Sequence, residues 1–511
     1  MRRLDKRNDD IEETLRPYEV PLSNDLTKNI DQLLTFLGHS EDIDVARFNH
    51  LPVPFAVIHF EAMNNEDMIT DAINSPLMKS QDRKADLFTS DPSLLFSKIQ
   101  GTKSVPLHTF KDLIEELLHG NVIVLVEGCT IGYGVHGFLV ETRNVDEPQN
   151  QTVIRGPKEG FVENINVNSS LLRRKIRNPQ LRFKTMTVGR STQTEIRLCY
   201  LEDEVDKDVL NEVIRRIENI RTEEVYESGM LEELIDDYGK KHRWYSPFPV
   251  ARTTERPDTV SSEIQEGKVA VIVDGTPFVL VYPMTFLSYF QAAEDYYQRF
   301  DFASFIRFIR LGAFGISLYL PSLYIAITTY HPELVATDLL INLAAQREGI
   351  PFPAFIETLL MEVIFEILRE GGVRMPRTIG PAISIVGAIV LGDSAVRAGL
   401  VSPAIVIVVS LTAISSFVAP AYNFSISARI LRFVMMIFAA TTGLYGVMFF
   451  STILLIHLCS LDSMGKPYFS PIAPINFKHH KDGFFRFPLW VKNVPFLRPW
   501  IQHKAKKENT G

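Results

Sequence analysis

Three cysteines in 511 residues, Cys129, Cys199 and Cys459, are too few and too far apart for a disulfide framework or a thiolate metal site. Catalytic signatures are missing too. There is no G-x-S-x-G elbow, no Walker A loop and no H-E-x-x-H pair, and the twelve histidines are scattered, with His479-His480 in a polar tail. No carboxylate of the N-terminal half is singled out by a neighbouring histidine or nucleophile. Neither an enzyme nor a cofactor or metal is expected. A formal net charge of −8 gives nucleic acid no electrostatic footprint. The opening MRRLDKRNDDIEE lacks the apolar core of a signal peptide, so the N-terminal region is expected on the cytoplasmic side.

What is present is unevenly spread. Mean hydropathy is only +0.05, but residues 1–308 are rich in charge and turn residues while 309–461 are mostly apolar. The tail 462–511 carries nine Lys/Arg against three Asp/Glu, which the positive-inside rule places in the cytoplasm. The expected architecture is an α/β cytoplasmic N-terminal region of two subdomains followed by an all-α polytopic membrane domain. The divisions read from composition are a polar segment 1–50, a first subdomain 51–245, a smaller second one 246–308, a membrane domain 309–461 and the basic tail.

Within the soluble half, Gly120–Gly128 (GNVIVLVEG) repeats as Gly267–Gly275 (GKVAVIVDG), both of the form G-x-V-x-V-x-V-acid-G. Each follows a predicted helix and leads through a turn to another apolar strand, Phe138–Val140 or Phe278–Tyr282, which predicts two related subdomains. The glycines of Gly132-Tyr-Gly-Val-His-Gly137 form a G-x-G-x-x-G. A dinucleotide site needs a helix to begin there, and a strand-like segment follows, so the stretch reads as a hairpin. Arg173, Arg174 and Arg177, with Arg155 and Lys158 nearby, make a basic cluster, either a solvated helix face or a contact with another subunit or anionic lipid. SPFPVARTTERPD, 246–258, reads as an irregular strap.

The membrane half begins with an aromatic, interfacial segment 283–305. Spans are expected near 309–330, 378–398, 400–428 and 433–460, with Arg429 and Arg432 marking a cytoplasmic turn. Residues 351–370 form an acidic helix among them, either a fifth span or an interfacial or re-entrant helix with its acids in water. Glu362, Glu366 and Glu370 share one face at i, i+4, i+8, and Glu357 lies off that stripe. Acids at membrane depth face a water-filled path or a partner, so Glu357, Glu362 and Glu366 are candidate ion-path residues. Several copies around an axis would give acidic rings, which favour cations. The following small-residue helix carries Val386, Ile389, Val390 and Asp393 on one stripe, a candidate constriction, with Arg397 placed to pair with Asp393.

Seven stretches together resemble the GerA family of spore germination proteins, in its A-type receptor subunits. They are RGPKEGF (155–161), NSSLLRRKI (168–176), SPFPVARTTERPD (246–258), EGKVAVIVDGTPFVLVYP (266–283), AEDYY (293–297), PFPAFIETLLMEVIFEILREGGVRMP (351–376) and GPAISIVGAIVLGDSAVRAGLVSPAIVIV (380–408). Asp393 departs from the uncharged polar residue expected there. The resemblance implies a multi-pass protein of the spore inner membrane. It further implies a transporter-like B subunit and a lipoprotein C subunit as partners. Self-assembly into a ring conducting monovalent cations when nutrient binds is also implied. A non-conducting signalling scaffold, or an accessory spore ion-channel paralogue without its own germinant, is the alternative.

Overall fold

The protein was analysed as a computed structural model, which describes residues 16–80, 94, 96–97, 103–138, 147–148, 151–236, 246–374, 390–418, 420–474, 486 and 488. It divides into two compact units. The first comprises Met1–Val153, Pro157–Asp237 and Thr253–Pro283, and the second Ile154–Gly156, Tyr238–Arg252 and Met284–Gly511.

Unit one holds two five-stranded sheets of one topology. The first half runs α1 (Leu26–Phe36), β1 (Ile43–Phe48), β2 (Phe55–Phe60), β3 (Ser104–Leu107), α2 (Phe110–Leu118), β4 (Val122–Val126) and β5 (Gly132–Val135). The second runs α3 (Ile165–Lys175), β6 (Leu181–Val188), β7 (Thr194–Leu201), α4 (Lys207–Glu218), α5 (Ser228–Ile235), β8 (Arg252–Thr254), α6 (Pro257–Gln265), β9 (Val269–Val273) and β10 (Val279–Tyr282). Strand orders are β1-β2-β4-β5-β3 and β6-β7-β9-β10-β8. The repeated apolar runs are the central strands β4 and β9, wholly buried because both of their faces are covered. On β4, Ile123 and Leu125 join the core under α1 and α2, while Val122, Val124 and Val126 join the core on the opposite face.

The repeat explains its own glycines and acids. Gly120, Gly128, Gly267 and Gly275 all have φ between 83° and 85°, which only glycine adopts without strain. Glu127 Oε2 accepts the N–H of Leu26 at 2.8 Å, and Asp274 Oδ1 accepts that of Ile165 at 3.1 Å. Each acid thus caps the first turn of the helix that opens its half, at the positive end of the helix dipole. One turn on, Asn29 bonds both backbone groups of Ser23, and Asn168 does the same for Val162.

The two halves are joined by a buried clamp. Arg173, 2% exposed, donates through Nε and Nη2 to the two Asp42 oxygens at 3.0 and 2.9 Å and through Nη2 to Ser40 Oγ at 3.3 Å. Its guanidinium lies over Phe60 and Phe183. Arg173 is therefore no subunit or lipid contact. Of its expected companions, Arg174 is half-buried, Arg155 and Arg177 are exposed, and Lys158 is exposed and pairs with Glu147 at 2.9 Å.

Other expectations are corrected here. The subdomain division at 245/246 is displaced: β6 and β7 belong to the second sheet, and β1, from the polar N-terminal segment, belongs to the first. The charged residues of β1 (IDVARF) and β6 (LRFKTMTV) hide these edge strands in the sequence. The hairpin reading of G-x-G-x-x-G holds, but its first two glycines lie in β5 itself, antiparallel to β4. A Cβ at Gly132 would meet Leu125 Cδ2 at 2.7 Å, so a larger residue there would require the Leu125 side chain to shift. Phe138 follows β5 rather than opening the partner strand, and residues 139–140 lie outside the described residues. The strap contains strand β8, and α6 starts at Pro257 in the first helical position.

Unit two is helical, with α7 (Phe300–Tyr330), α8 (Thr337–Arg347), α9 (Ala354–Arg374), α10 (Pro403–Ser416), α11 (Tyr422–Thr442) and α12 (Leu444–Ser460). Two helices, Phe300–Tyr330 and Asn423–Thr442, are long and apolar enough to cross a membrane, and α10 and α12 are shorter apolar helices. At 31 residues, α7 extends about 46 Å, beyond the ~30 Å of a hydrocarbon core.

The expected span 400–428 is broken between α10 and α11, and the span 433–460 is broken at Gly443, whose φ is 64°. Arg429 and Arg432 lie within α11 rather than in a turn. Most of the expected span 378–398 lies outside the described residues, with 390–397 helical. The interfacial segment forms 3-10 turns at Phe286–Phe290 and Ala293–Tyr296. Arg307 and Arg310, near the start of α7, are buried on Asp295 at 2.8 and 2.7 Å. Phe248 of the strap is buried in an aromatic core with Phe286, Phe424 and Tyr468.

Cys199 lies in the sheet core, where burial pushes its thiol well above the usual range, so it is inert. Burial also pushes the Glu232 carboxyl up to about 7, opposed by a hydrogen bond from Thr253 Oγ1 and reinforced by Glu227. The folded state therefore keeps a proton that the unfolded chain releases near 4.5. The resulting stabilisation is full below that value and is lost as pH rises through about 7. Replacing Glu232 by Gln should flatten this pH dependence, read as the melting-temperature difference between about pH 5 and about pH 8. Arg173→Met should lower stability by about 3–5 kcal/mol, because Asp42 stays buried without its partner. Glu127→Ala and Asp274→Ala should each cost about 1 kcal/mol. Thermal unfolding of the detergent-solubilised chain measures both.

Candidate functional site

The acidic helix α9 carries the site. Two of its acids, Glu357 and Glu362, are completely buried, and Glu366 is 25% exposed. The off-stripe position of Glu357 has a structural consequence. Its Oε1 accepts the N–H of Ser402, the N-cap of α10, and its Oε2 lies 3.6 Å from Arg347 Nε. It thus places negative charge at the positive end of α10.

Glu362 and Glu366 face α11. Arg432, also fully buried, brings one nitrogen, Nη2, to 3.0 Å from Glu362 Oε2 and 3.1 Å from Glu366 Oε1. Arg429 Nη1 reaches Glu366 Oε2 at 3.0 Å, and Arg369 stands 3.7 Å from Glu366 Oε1. The Arg369 guanidinium also lies over Phe365 and Phe417 and donates to Ser416 Oγ. Two carboxylates thus meet three guanidiniums among apolar helices, which leaves one cation in excess. In such surroundings each charge persists only because a partner offsets its lost hydration.

The structure brings Glu362 and Glu366 together and sets Glu357 apart. Glu370, at the end of the stripe, is exposed and pairs with Arg374 at 2.7 Å. Asp393 is exposed and pairs with Arg397 at 2.9 Å, and Val390 is 54% exposed. Val386 and Ile389 lie outside the described residues. Arg369, Arg429, Arg432, Arg347 and Ser402 were not foreseen. The signal was present in Arg429-x-x-Arg432, whose spacing puts both cations on one face of an apolar run.

Arg432→Leu should strip Glu362 of its cation and sharply reduce the level of folded chain in membranes. The double variant Glu362→Leu/Arg432→Leu should recover much of that loss, because it removes the buried charge with its partner. Immunoblotting and melting curves of the solubilised protein check both.

The family described as Bacillus/Clostridium GerA spore germination protein matches residues 31–496. The chain is 42% identical over 506 residues to Spore germination protein KA of Bacillus subtilis (strain 168), covering 96% of this chain and 89% of that one. It is 37% identical to the Uncharacterized membrane protein YfkQ of the same organism, covering 100% of this chain and 98% of that one. A solved structure, the N-terminal domain of the A subunit of the Bacillus megaterium spore germinant receptor GerK3, is 26% identical. It covers 52% of this chain and 97% of that chain, with a TM-score of 0.39. The family match spans residues of both units, and the chain belongs to the GerA family of spore germination proteins.

Proposed function

We propose that this protein is the A-type subunit of a nutrient germinant receptor in the spore inner membrane, and that it oligomerises into a gated cation channel that triggers germination. The observation that carries this reading is the meeting of Glu362 and Glu366 on one face of a helix in an apolar unit, with Glu357 buried apart on the same helix, within a family named for spore germination. Assembly of several copies into a ring belongs to the same reading, with two long and two shorter apolar helices among the described residues of each copy. The arrangement described fits a closed state, since both stripe acids are neutralised within the chain. A transporter-like B subunit and a lipoprotein C subunit are the proposed partners, membrane lipids the surroundings, and the role non-enzymatic. The cytoplasmic placement of unit one and of the tail belongs to the same proposal.

The in-chain neutralisation of Glu362 and Glu366 also favours a second reading, a non-conducting scaffold that relays a signal. The full similarity in length to YfkQ keeps an accessory paralogue in view. Reconstitution in a planar bilayer separates channel from scaffold. A channel passes cation current altered by Glu362→Gln, Glu366→Gln or Ile389→Ala. No current from any assembly, with germination intact, overturns the channel and leaves the scaffold. Cross-linking in membranes should show a closed ring of copies.

A further inference from the structure

We infer that α9 is a two-register ratchet against α11, and that Glu370 is the acid held in reserve for its second register. The inference rests on the reading of unit two as the switching part of a receptor. It starts from an imbalance. Arg432 is fully buried, yet its Nε and Nη1 have no hydrogen-bond partner among the described residues, and one nitrogen serves two carboxylates. Both Glu362 oxygens likewise lack a hydrogen bond, although one lies in ion-pair range. A half-satisfied buried network is poorly suited to serve only as structural support.

The spacing of the acids supplies the alternative. Glu362, Glu366 and Glu370 stand one helical turn apart. A slide of α9 by four residues toward its N-terminus, about 6 Å with a rotation of about 40°, puts Glu366 in the place of Glu362 and Glu370 in the place of Glu366. Both pairs with Arg432 and Arg429 then re-form. The same slide puts Met361 in the place of Glu357, so the second register costs the contacts of Glu357 with Arg347 and the Ser402 N–H. Glu370 gives up only its exposed pair with Arg374, which is weak. The opposite slide is the costlier one, because it brings the neutral Thr358 to the fully buried Arg432, whereas Arg347 is partly exposed and keeps access to solvent. Two discrete arrangements of one packed interface, a turn apart, are the usual form of a helix ratchet.

Glu370 touches neither Arg432 nor Arg429 in the register described, which sets the test. In spores, Glu370→Gln should leave the protein level unchanged and slow germination at least tenfold in a mixture of L-amino acids, sugars and nucleosides. Glu362→Gln, which weakens the resting register, should act in the opposite sense and produce germination without nutrient. A direct readout uses nitroxide labels at Ile367→Cys on α9 and Ile437→Cys on α11, both exposed. The full chain carries them with Cys129, Cys199 and Cys459 replaced by Ser. Glu362→Gln should populate a second label distance, displaced by up to about 6 Å, and adding Glu370→Gln should abolish it. A single unchanged distance in Glu362→Gln overturns the ratchet, as does wild-type germination of Glu370→Gln at normal protein level in spores whose germination is lost on deleting the protein. If the second distance appears but deletion of the protein leaves germination unaffected, the ratchet stands and the receptor reading fails.

Discussion

Charge buried among apolar helices must be paired in place, and unit two is arranged around that requirement. Arg432 has no exposed surface, so its position fixes the face of α11 turned toward α9 and the turn of α9 that meets it. The same rule recurs at Asp295, which holds Arg307 and Arg310, and at Glu357, which answers Arg347 and the N-terminus of α10. In each place an acid ties its own segment to a neighbouring one. Pairs of this kind add little net stability, because desolvation offsets most of the attraction. They do restrict which packings are tolerated.

Unit one meets a different demand with the same kind of group. Its acids at Glu127 and Asp274 look alike in sequence and do one job, closing the open N–H groups of the helix that begins each half. They lie beside a glycine at positive φ because the chain must turn sharply to bring the carboxylate back to that helix.

Legibility followed periodicity. β7 runs over Thr194–Leu201 as its alternation indicates, and β4 and β9 were visible as repeated apolar runs. Edge strands β1 and β6 were not, because Asp44 and Arg47 interrupt both faces of β1, and Arg182 and Lys184 leave β6 without a continuous apolar run. Break points among the apolar helices were also hidden. Gly443 sits in a run with no charged neighbour, and its φ of 64° together with the approach of Tyr330, whose Cβ lies 2.8 Å from where a side chain would begin, shows why a glycine stands there. The acids of α9 could be read from sequence and their partners could not. Ion pairs across 60 residues or more, such as Glu366 with Arg429, leave no periodic trace.

The likeness of the two halves of unit one carries a hazard of its own. Helices that open equivalent halves can exchange places during folding, or between copies of the chain. The clamp is one-sided, however. The position in α1 equivalent to Arg173, counted from the paired residues Asn29 and Asn168, is Leu34, half-buried and apolar. A chain that docked α1 where α3 belongs would set Leu34 against Asp42 and strand a carboxylate in the interior. One arginine in one half thus gives an internally repeated fold its handed assembly.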